Sequence, residues 1–396
     1  MKYNDTGLRI CVLWFILVSM NYGDEALKKH KKLKGKIALQ LKDKLDTQDK
    51  LSIYYTPGVA AVSSFVADNP KEARNYTWLN NNVAVISDGS AVLGLGDIGP
   101  LGALPVMEGK AMLFKHFADI DAVPIVLDVH SVDEIVNAVT AIAPSFGGIN
   151  LEDIAAPICF EVEERVKKAL QIPVMHDDQH GTAVVVLAGL INALKLKGNY
   201  SISECRIVIV GSGAAGTAIA KLLSIYGATD IVMVDSKGIV GPKRTDLNSE
   251  KKKLLEFNSL GRDGSLEDAV SGAHIFIGVS KPGLLTPKLI SRMQNKPIVF
   301  AMANPIPEIM PDEAKKAGVF IMATGRSDFP NQVNNALAFP GIFRGALDNR
   351  VTKITDQHKI AAAETIAALV EKPTPENIIP SVLDERLVPA IAKVIT

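Results

Sequence analysis

The chain has 396 residues, enough for two or three domains with their own cores, which excludes a peptide or a single small module. Its 47% hydrophobic and 22% charged residues are typical of a globular protein and exclude a disordered or collagen-like chain. Basic and acidic residues both number 43, so the net charge favours neither nucleic acid nor a membrane as a partner. Three cysteines without CxxC spacing indicate neither a disulfide framework nor a zinc site, and they fit a reducing, cytoplasmic location.

The first 19 residues differ from the rest of the chain. Lys2 and Arg9 precede an apolar run over residues 10–18, which is much shorter than the roughly 20 residues that span a bilayer. The run is similar to a secretory signal, but no small-x-small cleavage pattern follows it. We expect a cytoplasmic protein, with an export or organelle signal or a start at Met20 as alternatives. Residues 1–19 are left out of the fold prediction as an extension of doubtful status.

Residues 20–180 mix short apolar runs with glycine and proline breaks, which predicts an N-terminal α/β substrate domain. The predicted elements are strands Val83–Ile86 and Val123–Leu127 and helices Val132–Ala143 and Pro157–Ala169.

Residues 181–396 predict a second domain. An apolar helix, Thr182–Leu196, opens at Gly181, and Gly198 is expected to cap it in a positive-φ conformation. Strand and helix then alternate, which predicts a Rossmann-type, doubly wound parallel sheet followed by C-terminal helices. The predicted elements are strands Ile207–Val210, Ile231–Val234, Ile275–Gly278, Ile298–Ala301 and Phe320–Met322 and helix Ala214–Tyr226.

A GxGxxG motif lies between the first of these strands and the helix that follows. Gly211 permits a tight turn, Gly213 lets the backbone approach a pyrophosphate, and Gly216 allows close helix–strand packing. Free N–H groups at the helix N-terminus, around Ala214 and Ala215, would face the phosphates. The motif therefore predicts a nicotinamide dinucleotide site.

Asp235 ends the next strand, where a carboxylate can accept hydrogen bonds from the adenosine ribose. This position favours NAD, because a carboxylate repels the 2′-phosphate of NADP. Ser236 and Lys237 follow immediately and could offset that repulsion, so NADP stays open.

A second glycine motif, GLGDIG at 94–99, is interpreted as a structural turn near the substrate and not as a dinucleotide loop. Pro100 follows it directly, and no acidic strand end comes about 20 residues later. The stretch 104–115 is not expected to complete a strand–helix–strand unit.

Two acidic pairs suggest a divalent cation. Glu152 and Asp153 are adjacent, as are Asp177 and Asp178, and carboxylate ligands suit Mg²⁺ or Mn²⁺ better than zinc. His176 and His180 have the spacing of a zinc pair, but no glutamate follows the first histidine as HExxH requires.

Further polar residues are candidates for catalysis and binding. Lys110 stands among apolar residues, and burial there would lower its pKa and suit a general base. Tyr55 opens a turn with polar groups, and Asn304 follows a predicted parallel strand at the end where ligands bind. The amides of Asn334 and Asn335 could hold carboxylate or nicotinamide groups without adding charge.

Taken together, the motifs resemble those of the short, bacterial-type malic enzymes, from about Met20 to the C-terminus. The resemblance implies oxidative decarboxylation of L-malate to pyruvate and CO₂, with reduction of NAD or NADP and a divalent metal. The motifs are YTPGVA at 55–60, LGLGDIG at 93–99, EGKAMLFK at 108–115, NLEDI at 150–154, HDDQHGTA at 176–183, GSGAAG at 211–216, ANP at 303–305 and NNALAFPG at 334–341.

The resemblance also implies roles for single residues. Lys110 resembles the general base and Tyr55 the general acid that protonates C3 of enolpyruvate. Asp177 resembles a residue near the metal with a less certain role. Metal ligands are expected at Glu152, Asp153 and Asp178, and residues near substrate and nicotinamide at Asn304, Asn335 and, less directly, Asn334.

The chain departs from the larger eukaryotic-type members, which carry an arginine just before LGLGDIG to bind malate. Residues 87–92 contain no arginine, so the partner of one malate carboxylate is unassigned. The family suggests a homodimer or larger homo-oligomer, in which a neighbouring chain could supply Lys110 or Tyr55.

Three alternatives remain at this point. A malolactic enzyme would keep its nucleotide bound and release lactate with no net redox change. An amino-acid dehydrogenase also joins a substrate domain to a Rossmann domain, but it needs no metal. An inactive nucleotide sensor is disfavoured by the intact Tyr55, Lys110 and acidic residues.

Overall fold

The structure, a computed structural model, describes residues 22–92, 95–198 and 200–396. The predicted extension 1–19 and Gly94 of the second glycine motif lie outside the described residues. The chain divides into two compact units, Met1–Leu51 and Ser52–Thr396. In the first unit, residues 22–33 form helix α1, whose side chains Leu27 and Leu33 are exposed.

The remaining helices and the strands are as follows. The helices are α2 (Gln48–Tyr54), α3 (Val59–Asp68), α4 (Ala73–Tyr76), α5 (Gly99–Ala118), α6 (Val132–Ile142), α7 (Ile158–Ala169), α8 (Asp177–Gly198), α9 (Ala214–Ile225), α10 (Ser249–Lys253), α11 (Leu266–Val270), α12 (Pro287–Ile290), α13 (Pro311–Lys316), α14 (Phe339–Asp348), α15 (Asp356–Ala368) and α16 (Leu387–Ala392). The strands are β1 (Asn82–Ser87), β2 (Asp121–Val126), β3 (Ile149–Leu151), β4 (Val174–His176), β5 (Arg206–Val210), β6 (Asp230–Asp235), β7 (Gly238–Ile239), β8 (Ile275–Gly278), β9 (Ile298–Ala301) and β10 (Ile321–Thr324).

The first sheet has four parallel strands in the order β2-β1-β3-β4. Its central strand β1 is fully buried, as expected for a parallel sheet covered on both faces. The structure corrects the interpretation of the stretch 104–115. That stretch lies within α5, which connects β1 to its parallel neighbour β2, so it does complete a strand–helix–strand unit.

The second sheet has the order β10-β9-β8-β5-β6-β7, and all its strands are parallel except the short edge strand β7. Strand β6 lies on one side of β5, and β8, which comes later in the chain, lies on the other side of β5. Such a reversal creates the crevice in which doubly wound sheets bind ligands. The predicted α/β class with a Rossmann-type parallel sheet is confirmed, whereas the boundaries at 180 and 181 stay a prediction.

Helix α8 follows the first sheet in the chain and precedes the second. It begins at Asp177, not at Gly181 as predicted, because two aspartates in the first turn favour the positive end of the helix dipole. Gly198 has a φ of +120°, in the positive region that glycine adopts without strain. Among the described residues, α8 alone has the length and apolar composition of a membrane span, but 72% of its most apolar window is buried.

Candidate active site

The end of the first sheet brings one lysine and four carboxylates together. Glu152 and Asp153 follow β3, while Asp177 and Asp178 follow β4, and these strands are parallel neighbours. Lys110 reaches the same place from α5. We call these five residues, Lys110, Glu152, Asp153, Asp177 and Asp178, the lysine–carboxylate cluster.

Lys110 is only 7% exposed and is held on several sides. Its Nζ donates to Asp177 Oδ2 at 2.5 Å and lies 2.8 Å from Glu152 Oε1. The ammonium also stands 4.2 Å from the centre of the Phe339 ring, which provides a cation–π contact. Lys110 is therefore fixed within its own chain, beside the acidic residues.

The expected lowering of the Lys110 pKa is wrong for this arrangement. Burial alone would lower the pKa of the ammonium, but the carboxylates of Asp177 and Glu152 outweigh it and raise the pKa. Lys110 is thus a charged hydrogen-bond donor here. It can act as a base only where bound groups offset the negative charge around it.

Three carboxylates of the cluster could hold a metal ion. Oxygens of Glu152, Asp153 and Asp178 lie within 4.8 Å of one another. Asp153 adopts a positive φ of 53°, and its backbone N–H donates to Asp178 Oδ2 at 2.8 Å, which ties the loop after β3 to the first turn of α8. Such a set of oxygen donors matches the preference of Mg²⁺ or Mn²⁺.

The protonation of the buried acids also indicates a missing positive charge. Burial raises the pKa of Glu152 well above its usual value, with repulsion from the aspartates adding to it and the Lys110 ammonium opposing it. Burial likewise raises the pKa of Asp177, although Lys110 opposes the rise. Since one ammonium cannot balance four carboxylates, a divalent cation fits this donor set electrostatically.

The two histidines do not join the candidate metal group in the described part of the chain. His180 Nε2 lies 2.8 Å from Glu163 Oε2, and the backbone N–H of His176 donates to the other oxygen of Glu163. Glu163 thus connects α7 to β4 and α8.

The GxGxxG loop has the geometry that the motif predicts. Gly211 has a φ of +120° and a Cβ there would lie 2.6 Å from the Val279 carbonyl oxygen. A Cβ on Gly216 would lie 1.8 Å from the Gly211 carbonyl oxygen, whereas a Cβ on Gly213 would meet no described atom within 4 Å. Gly211 and Gly216 are therefore required by packing, and Gly213 leaves open space before α9.

The dinucleotide loop also packs against a hydrophobic cluster that includes residues of the first sheet. Ala214, at the start of α9, packs against the buried cluster that includes Ile86 and Ile154, while Ala215 packs against the central core. Ile154 directly follows the metal candidate Asp153. The hydrophobic cluster under the loop therefore includes the residue next to Asp153.

Asp235 ends β6 as predicted, but its carboxylate is already engaged. Arg244 donates to both of its oxygens at 3.0 and 3.2 Å, and Lys251 Nζ donates at 2.6 Å. Burial would raise the pKa of Asp235, but the hydrogen bonds from Arg244 and Lys251 lower it to about 2. The carboxylate is therefore firmly ionised.

Asn304 lies in the loop after β9, with an exposed side chain, and forms a cis peptide bond with Pro305. The buried Glu308 holds this loop, because it accepts N–H bonds from Ser280 at 3.0 Å and Ala303 at 3.1 Å. It therefore joins the loops that follow β8 and β9. Sequence reasoning missed Glu308, although an acid four residues after a strand-end asparagine was visible.

The two later asparagines have different surroundings. Asn334 Oδ1 accepts the N–H of Ala336 and so caps the following turn, and its binding role stays a prediction. Asn335 lies against Gly181, where an added Cβ would be 3.0 Å from its Cβ and 1.9 Å from Asp177 Oδ1. The structure thus brings Asn335, together with Phe339, to the lysine–carboxylate cluster.

Tyr55 is not brought to the cluster. Its side chain is 68% exposed, and in the described structure no hydrogen bond, ion pair or ring contact joins it to Lys110 or the acids. It follows α2, and neither α2 nor the next helix α3 buries any residue. Of the two catalytic candidates, Lys110 lies in the lysine–carboxylate cluster and Tyr55 lies outside it.

Arg244 and Lys251 were also missed by sequence reasoning, which considered only Ser236 and Lys237 after Asp235. They lie 9 and 16 residues beyond Asp235. Their return to the strand end depends on the segment through β7 and α10, whose course no local pattern specifies.

Comparisons with known proteins agree with the motifs. A family model described as the malic enzyme NAD-binding domain matches residues 179–394, and one for the malic enzyme N-terminal domain matches residues 34–131 and 129–167. The chain is 53% identical over 380 residues to the bifunctional malic/malolactic enzyme of Bacillus subtilis, covering 95% of this chain and 92% of that protein. It is 48% identical to the NADP-dependent malic enzyme of Halomonas elongata, covering 88% and 82% of the two chains.

A solved structure is similarly close. The crystal structure of the NAD-dependent malic enzyme from Thermotoga maritima superposes with a TM-score of 0.91 at 50% identity, covering 93% of this chain and 98% of that one. These matches confirm the resemblance inferred from the motifs and set aside an amino-acid dehydrogenase. The chain therefore belongs to the malic enzyme family.

Proposed function

We propose that this protein is an NAD- or NADP-dependent malic enzyme that oxidatively decarboxylates L-malate to pyruvate and CO₂ with a divalent cation. The observation that carries the proposal is the buried Lys110 beside four carboxylates, three of which can hold a metal. The dinucleotide loop packs against a hydrophobic cluster that includes strand residues of the same sheet. This juxtaposition suits a reaction that combines hydride transfer with loss of CO₂.

Each of the chain's own groups has a role in the proposed mechanism. Lys110 takes the proton of the C2 hydroxyl as hydride leaves C2 for the nicotinamide. Asp177 and Phe339 hold Lys110 in position. Cleavage of the C3–C4 bond then releases CO₂ and leaves enolpyruvate, and Tyr55 gives its phenolic proton to C3 to form pyruvate.

Glu152, Asp153 and Asp178 would hold the cation. When bound, the cation supplies Lewis acidity at the C2 oxygen and positive charge beside Glu152. Lys110 would then face less negative charge than in the arrangement described above. Asn335 and Asn304 are proposed to orient the substrate and the nicotinamide through their amides.

Tyr55 and the oligomeric state are proposed together. We infer a homodimer or larger assembly in which Tyr55 enters the site of a neighbouring copy, because its ring is exposed and lacks any contact with Lys110. The apolar side chains Val59, Val62 and Phe65 on α3 are each 38–40% exposed, as expected of a surface that another chain covers.

Mixing two inactive variants tests this arrangement. In a dimer of Tyr55→Phe and Lys110→Ala chains, one site keeps both residues if Tyr55 acts across the interface. Unfolding and refolding the variants together should then restore about a quarter of the wild-type rate, since half of the dimers would be mixed. If the mixture stays inactive while it forms mixed dimers, Tyr55 acts within its own chain or not at all.

Steady-state assays test the main proposal. Malate turnover should produce reduced nicotinamide and pyruvate with Mn²⁺ or Mg²⁺ and should stop in a chelator. Absence of malate turnover with both coenzymes and both metals would contradict the proposed activity.

A malolactic activity is a second candidate, supported by the name of the Bacillus subtilis relative. In that reaction lactate forms from malate without accumulation of reduced nicotinamide. Product analysis separates the two activities: lactate without an absorbance change indicates malolactic conversion, and pyruvate with a stoichiometric absorbance change indicates oxidative decarboxylation.

We further propose a cytoplasmic location without nucleic-acid or membrane partners. Support comes from the equal numbers of basic and acidic residues and from the burial of α8. Fractionation of cells that produce the full chain checks the location.

A further inference from the structure

The segment that follows β6 brings Lys237, Arg244 and Lys251 together beside Asp235 and Asp246. We propose that Arg244, Lys251 and Lys237 bind the 2′-phosphate of NADP, and that Asp235 positions these cations instead of binding ribose hydroxyls. The enzyme then prefers NADP to NAD. This inference rests on the proposed function, because it assumes that the dinucleotide occupies the GxGxxG loop.

The hydrogen bonds of Asp235 carry the first step. Its Oδ1 accepts the backbone N–H of Lys237 at 2.8 Å and Arg244 Nη1 at 3.0 Å. Its Oδ2 accepts Arg244 Nη2 at 3.2 Å and Lys251 Nζ at 2.6 Å. A carboxylate offers about four acceptor positions, so these donors occupy the positions that ribose hydroxyls would need.

The cations are more exposed than the carboxylate that they surround. The Asp235 side chain is only 4% exposed, whereas Arg244 is 15% and Lys251 is 30% exposed. A ligand in solution therefore has more access to the two cations than to the carboxylate. Arg244 gives its remaining N–H groups to Asp246 and to the Ile239 carbonyl. A 2′-phosphate would therefore take over the bonds to Asp246 while Asp235 keeps the guanidinium in place.

The charge of the region agrees with an anionic ligand. Lys237 Nζ lies 2.7 Å from Asp246, which Arg244 also contacts. We define the Asp235 cluster as Asp235, Lys237, Arg244, Asp246 and Lys251. Its three cations exceed its two carboxylates, so a phosphate would complete the balance, and the partly exposed Asp246 can give up its bonds to that phosphate.

Coenzyme binding without malate tests the inference directly. Titrations of the full chain by coenzyme fluorescence should give a dissociation constant for NADPH about tenfold or more below that for NADH, because charge-assisted bonds to the phosphate are lost with NADH. Arg244→Gln and Lys251→Gln should each weaken NADPH binding about tenfold and change NADH binding by less than about threefold. NADPH binding should also weaken more steeply with added salt than NADH binding.

Lys253→Gln is the matched control. Lys253 lies on the same short helix α10 as Lys251, but it pairs with Glu250 and is 67% exposed. It should leave the preference unchanged. Because the loop could lose its fold in Arg244→Gln, Lys251→Gln is the deciding variant.

Two results would overturn the inference: tighter binding of NADH by the wild-type protein, or equal weakening of both coenzymes by Lys251→Gln. Parallel assays of kcat/KM with malate keep the proposals distinguishable. Turnover with NAD at equal or higher efficiency would contradict the NADP preference and leave the malic enzyme activity standing. Selective NADPH binding without malate oxidation would contradict the activity and support the phosphate site.

Discussion

The lysine–carboxylate cluster and the Asp235 cluster use the same kinds of side chain with opposite results. In the first, burial raises the pKa of Glu152, and four carboxylates face one ammonium. In the second, hydrogen bonds lower the pKa of Asp235 to about 2, and three cations face two carboxylates. The first cluster lacks positive charge and the second lacks negative charge. Each imbalance therefore indicates a ligand, a divalent cation in one and a phosphate in the other.

The largest expected effect is on Lys110. Lys110→Ala should lower kcat by about 10²–10⁴-fold, the usual contribution of a general base. Steady-state rates with saturating malate, coenzyme and Mn²⁺ measure the change. Equal kcat values for the variant and the wild type would remove Lys110 from the mechanism.

Lys115→Ala provides the control on the same helix. Lys115 is 53% exposed and pairs with Asp119 and Asp121 at the surface, where ion pairs contribute little. The control should keep the wild-type kcat. A comparable loss in both variants would indicate damage to α5 and not to the chemistry.

Two glycines of the GxGxxG loop should respond differently to the same substitution. Gly216→Ala should destabilise the protein by about 1–3 kcal/mol, because its Cβ would overlap the Gly211 carbonyl oxygen and force the backbone to move. Gly213→Ala should leave stability unchanged, since no described atom lies near its Cβ, but should raise the KM for coenzyme about tenfold. Thermal unfolding and coenzyme kinetics on both variants check this. A Gly213→Ala variant with an unchanged KM would place the pyrophosphate elsewhere.

The Asp235 cluster should show a smaller, pH-dependent effect. The folded pKa of about 2 lies below the usual 3.8, so the ionised carboxylate stabilises the native state above about pH 4, and this contribution is lost as the pH falls toward 2. Asp235→Asn should lower the free energy of unfolding by about 1–2 kcal/mol at pH 6, with the difference vanishing near pH 2. Urea unfolding across this range measures it, with Glu250→Gln as a control. A pH-independent difference would contradict the charge argument.

Much of the fold could be predicted, because parallel strands are continuous apolar runs. Ile207–Val210 and Ile298–Ala301 were placed within a residue of β5 and β9. The two-residue strand β7 is too short to have a periodicity, and the helical stretch 104–115 was missed because Gly99 and Pro100 obscured the helix start. The start of α8 was misplaced because Gly181 was read as the helix start, whereas the helix begins at Asp177.

The site was predictable only where its residues lie at the ends of neighbouring parallel strands. Glu152 and Asp178 follow neighbouring strands, so their meeting follows from the sheet order. The raised pKa of Lys110 could not be predicted, because it depends on which carboxylates the fold brings to a buried helix. Arg244, Lys251 and Glu308 depend on the course of the chain between strands, and Tyr55 stays exposed in the single chain.

Titration with Mn²⁺, followed by electron paramagnetic resonance, tests the central claim most directly. The wild-type chain should bind one Mn²⁺ per chain at the lysine–carboxylate cluster, and Asp178→Asn should lose that binding. Glu161→Gln, an exposed acid in the first turn of α7, should bind as the wild type does. Unchanged Mn²⁺ binding by Asp178→Asn would contradict the account, because the cation would then lie away from Lys110.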